Sequence, residues 1–229
     1  MQDGLLAYPF RGPAGAETLL VGGGLHLLAV YLPFAPLLPV VGYLLAVLVH
    51  VAGDARAGDH GAPAVVTLPP TVGQLRRLLA DGLRGTVVAA GYLAVPAAVV
   101  AVTLRGVSGL GAATGGAPTA GEAGVLLVGG TAAFVSAAVF CYPLPAALTA
   151  VGRHRRLRPA VSGRLVREAA TDARYFVGWA TGLTALAVGV AAGVSLVSVG
   201  VGFFVVFYAE VVAAAAWGWG CSRLDLRGE

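Results

Sequence analysis

Apolar runs of a length to cross, or nearly to cross, a hydrocarbon core recur along the whole 229-residue chain. A membrane-spanning helix needs about 20 predominantly apolar residues, because the core is ~30 Å thick and an α-helix rises ~1.5 Å per residue. Runs of this kind occupy residues 17–33, 39–53, 85–104, 125–150, 175–196 and 201–220. Charged residues make up 11% of the chain and hydrophobic ones 58%, against about 25% charged in soluble domains. The sequence therefore predicts an all-α fold, a polytopic transmembrane helical bundle of about six spans with interfacial amphipathic helices, built as a single integral membrane domain over residues 1–229. It excludes a water-soluble globular protein.

The first two runs are short, and 17 residues reach only ~26 Å. Pro33, Pro36 and Pro39 stand between them. Three prolines in seven residues remove helical hydrogen bonds and shape a turn, which favours a hairpin of two short helices over one long broken helix. Pro96 predicts a kink in the third run. The stretch GVSGLGAATGGAPTAGEAG, residues 106–124, reads as an exposed loop, and Pro143 and Pro145 lie near the end of the fourth run.

All 15 basic residues are arginine. With six spans, Arg11, Arg56, Arg76, Arg77, Arg84, Arg153, Arg155, Arg156, Arg158, Arg164, Arg167, Arg174, Arg223 and Arg227 share one face, and Arg105 alone falls on the other. The positive-inside rule makes the crowded face cytoplasmic, so the expected location is the cytoplasmic membrane, with both termini inside the cell. Fusing the first two runs into one span moves Arg11 to the other face and leaves the remaining count intact. The arginines adjoin apolar segments and form no patch interleaved with stacking aromatics, which argues against nucleic acid as a partner. Cys141 and Cys221 lie in or beside spans without metal-ligand or redox spacing. The N-terminal MQDGLLAYPFRG has no basic n-region followed by an apolar core, so targeting is expected to rest on an uncleaved first span.

Two arginine-bearing segments are amphipathic. In VGQLRRLLADGLR, residues 72–84, Gln74, Arg77, Asp81 and Arg84 recur at helical spacing, while Val72, Leu75, Leu79 and Leu83 share another side. In residues 161–174, Val161, Leu165, Ala169 and Ala173 oppose Arg164, Arg167, Glu168, Thr171 and Arg174. Both segments lead straight into a span. They are expected to lie in the headgroup region, with Arg76, Arg77, Arg84, Arg164, Arg167 and Arg174 near anionic lipid phosphates. The expected partners are the lipid bilayer and a second copy of the chain or another membrane protein.

Few residues carry chemistry. Glu210 sits about ten residues from either end of the sixth run, and His26 about nine residues into the first. An ionisable group at such depth costs about 2.5–3.5 kcal/mol and should face protein or water. A Glu210–His26 contact is expected if these two spans are neighbours. It would serve as packing glue or, with Tyr43 or Tyr208 nearby, as a proton or cation site. His50 is expected at the interface. Gly189 and Gly193, with Ala185, and the row Gly129, Ala133, Ala137, Cys141 are small-residue stripes that suit packing within one bundle or a homo-oligomer contact. Gly22–Gly24 lies within an apolar run, out of place for a phosphate-binding loop. Serine-hydrolase, zinc-protease and nucleotide-binding motifs are absent from the sequence. The reading assigns no catalytic residues, no cofactor and no metal ligands, and expects a protein that is not an enzyme.

YPFRG before a glycine-containing first span, LPPTVGQLRRLLADGLRG leading into the third, LPAALTAVGR, and RLVREAATDARYFVGW before the fifth together resemble the domain of unknown function 4013 family, prominent in halophilic archaea. The resemblance covers nearly the whole chain. Where the family tends to carry an acidic, tryptophan-bearing stretch before its LADGL-like residues, this chain has TVGQLRR. The resemblance implies a multi-pass membrane protein of unassigned function with no catalytic residues to transfer. The expected role is a non-enzymatic scaffold or a component organising lipid and partners. The alternative is a small transporter or channel with a mid-membrane Glu210/His26 site.

Overall fold

A computed structural model describes residues 2–10, 14–57, 72–114 and 120–225. Among these residues the chain is all-α, with no strand. The helices are α1 (Gln2–Leu6), α2 (Gly15–Ala29), α3 (Leu37–Ala57), α4 (Val72–Thr114), α5 (Ala120–Cys141), α6 (Leu144–His154), α7 (Gly163–Thr171), α8 (Ala173–Ser195) and α9 (Gly202–Cys221). Five stretches are long and apolar enough to cross a membrane: Leu37–Ala55, Gly73–Val107, Ala120–His154, Ala173–Ser195 and Gly202–Cys221. At 15 residues, α2 is only ~22 Å long by helical rise, the short first helix of the expected hairpin. The proline-rich segment does separate two helices, with Phe34 taking a left-handed φ of 70° between them.

The chain forms two compact units, one of residues 1–87 and 145–229, the other of residues 88–144. In the first, α9 is the central helix, flanked by α8, α3 and α2. Small residues set these contacts. A Cβ on Gly178 would lie 2.7 Å from the Gly220 Cα, and one on Gly193 2.9 Å from the Gly202 carbonyl oxygen. Gly182 makes room for the Trp217 indole and Gly189 for Ala209. The sums of the paired residue numbers are nearly constant, so α8 and α9 run antiparallel in close contact, with Gly200 turning the chain between them at φ 76°. The Gly189/Gly193 stripe is thus spent inside the unit, against α9. Ala213 to Ala216 are all buried, and Phe207 and Val211 join Val40, Tyr43, Val47 and Leu48 of α3 in the core.

The segment 72–84 departs from the separate interfacial helix expected. It is the first part of the continuous helix α4, which also runs through Pro96, and it is no separate helix. Its buried side is Leu78, Gly82 and Gly85, whereas Leu75, Leu79 and Leu83 are exposed. The reason is backbone proximity. A Cβ on Gly82 would stand 2.0 Å from the Leu38 carbonyl oxygen, and one on Gly42 2.0 Å from that of Leu78. Glycines on both helices thus let α3 and α4 approach to backbone contact, and the leucine face is left outward. Residues 161–174 likewise divide, into α7 and the start of α8. Asp172 accepts a hydrogen bond from the Tyr175 amide at 2.7 Å and caps α8, satisfying one of its otherwise unpaired N–H groups.

In the second unit, the latter part of α4 runs antiparallel to α5, with Gly129 against Thr103 and Gly106 near Val125. Helix extends over most of the expected 106–124 loop, to Thr114 and again from Ala120; residues 115–119 lie outside the described ones. Leu127, Val128 and Phe134 are each more than 70% exposed. The most apolar 18-residue window of the stretch 120–154 holds no buried residue. Such a surface suits hydrocarbon surroundings, and water would penalise it by roughly 25 cal/mol per Å².

Candidate functional site

The expected pairing of His26 and Glu210 is present. α2 lies along α9, and His26 Nε2 stands 3.3 Å from Glu210 Oε1 and 3.2 Å from Oε2. His26 Nδ1 is 2.9 Å from the Gly22 carbonyl oxygen of the preceding helical turn. A carbonyl can only accept, so Nδ1 carries a proton. Nε2 then either accepts from a protonated Glu210 or, in the imidazolium, donates to its carboxylate. In both states one proton lies between the two side chains, and the pair is neutral as a whole. The Phe207 ring stacks at a tilt on His26, with centroids 5.8 Å apart, and seals it against Tyr43 on the other side. Gly22 has no side chain to obstruct that ring, for a Cβ there would fall within it. Tyr208 does not join the pair. Its hydroxyl donates to the Leu6 carbonyl at 2.7 Å, tying α1 to α9.

The six arginines expected at lipid headgroups separate into two groups. Arg84 donates to Asp81 at 2.6 Å. Arg164 donates to Glu168 at 2.9 Å and to Asp225 at 2.8 Å, while the Asp225 amide donates back to Glu168 at 3.1 Å. This clasp fastens the segment after α9 to α7. The Arg174 guanidinium lies 4.4 Å from the Trp219 ring centroid, in cation–π geometry. Among the described residues Arg76, Arg77 and Arg167 have no ion-pair partner. The Arg11 and Arg227 positions and the Arg56 side chain lie outside the described residues.

Arg76, Arg77 and Arg84 converge, and a fourth arginine joins them. The first turns of α4 and the end of α6 border an open cleft of about 390 Å³ lined by these three, Gly73, Ala80, Asp81 and Arg155. A second cavity of about 270 Å³ shares Asp81 and Arg155 and continues over Leu45, Ala46, Val49 and His50 of α3. His50, at the cavity rim, pairs with Asp54 one turn on, at 3.0 Å. Sequence reasoning did not single out Arg155. It ends α6 with φ 54°, a left-handed backbone at the helix terminus where glycine is the usual residue. A side chain in that conformation costs ~1–2 kcal/mol. Gly152 is nearby but is used elsewhere, giving Val49 and Leu45 room against α6. The signal that could have marked Arg155 is the run GRHRRLR at the end of an apolar helix, with a single glycine to serve two purposes.

Among the described residues no three His, Cys, Asp or Glu side chains are grouped to hold a metal ion. The family model described as protein of unknown function (DUF4013) matches residues 24–198, over three quarters of the chain. The chain belongs to that family. The matched stretch contains the whole arginine cavity and His26 and stops short of α9, so Glu210 lies outside it. No curated protein and no solved structure matches the chain. Family membership and the long apolar helices together make this a membrane protein whose function the family leaves unassigned.

Proposed function

We propose that this chain is a non-enzymatic membrane component that gathers anionic lipid, and with it neighbouring membrane proteins, around its arginine-bearing helix ends. The observation that carries the reading is the mixed surface at the start of α4. There the unpaired guanidinium groups of Arg76 and Arg77 stand beside the exposed side chains of Leu75, Leu79 and Leu83. A water-facing helix would not present that much leucine, and a hydrocarbon-facing one would not present two arginines. The headgroup level of a bilayer accommodates both, at about 1 kcal/mol of attraction per arginine near an anionic surface.

The reading is tested by energy transfer from Trp179, Trp217 and Trp219 to dansyl-labelled lipid in reconstituted vesicles. Dansyl-phosphatidylglycerol should accept more than dansyl-phosphatidylcholine, with the excess falling as salt is raised and in an Arg76→Gln/Arg77→Gln variant. Equal transfer to both lipids at low salt would reject it.

A second reading, a proton-linked transport path, is favoured by one feature, the proton held between His26 and Glu210 in either ionisation state. It differs from the first in requiring water to reach Glu210.

A further inference from the structure

We infer that the cleft between the start of α4 and the end of α6 is a site for one anionic lipid whose headgroup bears two phosphate charges, with its glycerol and upper chain in the adjoining cleft over Leu45, Ala46 and Val49 of α3. The inference rests on the lipid-gathering reading above and names its ligand. Four guanidinium groups face a single carboxylate there. Asp81 is engaged by Arg84 at 2.6 Å, and Arg155 stands 3.9 Å away, beyond hydrogen-bond reach. The donors of Arg76, Arg77 and Arg155 are therefore left over, about as many as two phosphate groups would take up in forked pairs. Gly73, in the first turn of α4, lines the same cavity and adds the positive end of that helix dipole.

The second compartment favours a lipid over a soluble phosphate. It shares Asp81 and Arg155 with the first, and its other lining is Leu45, Ala46, Val49, His50 and Gly152. A chamber lined by four arginines that continues over three aliphatic side chains of α3 matches an amphiphile, whereas inorganic phosphate would use only half the space. The exposed leucines of α4 lie on the helix that borders the charged chamber and would meet the remaining acyl chain. Arg155 completes the case. The chain tolerates a left-handed arginine at a position glycine would fill without strain, and that arginine is the wall common to both chambers.

The test is native mass spectrometry of the full chain released from micelles doped with cardiolipin, phosphatidylglycerol or phosphatidylcholine. One cardiolipin should remain bound, with occupancy at least tenfold above that of phosphatidylglycerol. Arg155→Gly is the decisive variant, because it relieves the left-handed backbone. It should raise the unfolding temperature while lowering cardiolipin retention at least tenfold, so lost binding could not be ascribed to a damaged fold. Arg105→Gln, at the exposed arginine expected on the other face, should leave retention unchanged. Cardiolipin held equally by the Arg155→Gly variant, or no better than phosphatidylglycerol, would overturn the site. Full displacement of the lipid by millimolar pyrophosphate would assign the cavity to a soluble anion instead. If the vesicle energy-transfer excess persists while retention fails, the site is wrong and the broader reading stands; if the excess itself is missing, the broader reading fails first.

Discussion

Replacing Gly82 by alanine should unfasten α3 from α4, although alanine is the better helix former. An added Cβ would lie 2.0 Å from the Leu38 carbonyl oxygen, where ordinary contact begins near 3.4 Å. The obstacle is backbone on both sides, so no side chain can rotate away and the helices must separate by roughly 1 Å or more. Overpacking of this kind costs about 1–3 kcal/mol, and a backbone clash belongs at the upper end. Alanine returns up to about 1 kcal/mol through lower conformational entropy in the unfolded chain. The net loss should be about 2 kcal/mol. Gly91, on the same helix, has nothing within 4 Å of its would-be Cβ. Gly91→Ala should therefore stabilise by about 0.5–1 kcal/mol, leaving the two variants about 3 kcal/mol apart. Gly42→Ala meets the Leu78 carbonyl at the same 2.0 Å and should match Gly82→Ala. The double variant should cost clearly less than the sum, because one separation relieves both clashes. Equilibrium unfolding in mixed micelles, followed by tryptophan fluorescence and circular dichroism, measures all four. Equal stabilisation by Gly82→Ala and Gly91→Ala, or full additivity of the pair, would show that α3 and α4 are not in backbone contact.

Two further outcomes follow from the hydrogen bonds. Glu210→Ala leaves His26 Nε2 without its partner at 3.2 Å and should cost about 1–3 kcal/mol, whereas Glu210→Gln keeps a donor and should cost less; in the same position, Glu210→Cys, with Cys141 and Cys221 replaced, should resist small thiol reagents in native membranes while an Ala120→Cys control reacts, and rapid labelling would instead support the transport reading. Asp172→Ala removes the cap on α8 and should lower stability by about 1 kcal/mol in the same unfolding assay, with Asp172→Asn nearly neutral; an equal loss in both would mean that the side-chain charge, and not the cap bond, is what matters there.

Much of the helix count was legible because apolar length and proline placement are local properties. The breaks after α2 and after α5 fall at the proline groups around Pro33–Pro39 and at Pro143, and the Glu210–His26 pair follows from two polar residues at similar depth in otherwise apolar helices. The helical continuation of α4 and α5 into residues 106–124 was not legible, because its many glycines and small polar residues carry the composition of a loop while short apolar runs support the adjoining helices. An interfacial helix over residues 72–84 specifies no side that packs against protein; in the structure that side is Leu78, Gly82 and Gly85. In water, a leucine stripe marks the buried side of a helix.

In surroundings as apolar as leucine itself that rule loses its force, since burying Leu75 or Leu83 against protein gains little over leaving it in hydrocarbon. What decides the inward side is where two backbones can come closest, and Gly42 and Gly82 decide it here. The sequence by itself determined the all-helical class, the membrane setting and the residues that cannot be left alone in it. Only the tertiary structure decided which glycine meets which carbonyl, that α9 stands at the centre of its unit, and that Arg155 lines one cleft with Arg76, Arg77 and Arg84. Those outcomes depend on segments far apart in the chain, about 80 residues for Arg76 and Arg155 on one cleft and 202 for Tyr208 with Leu6, and no local periodicity encodes them.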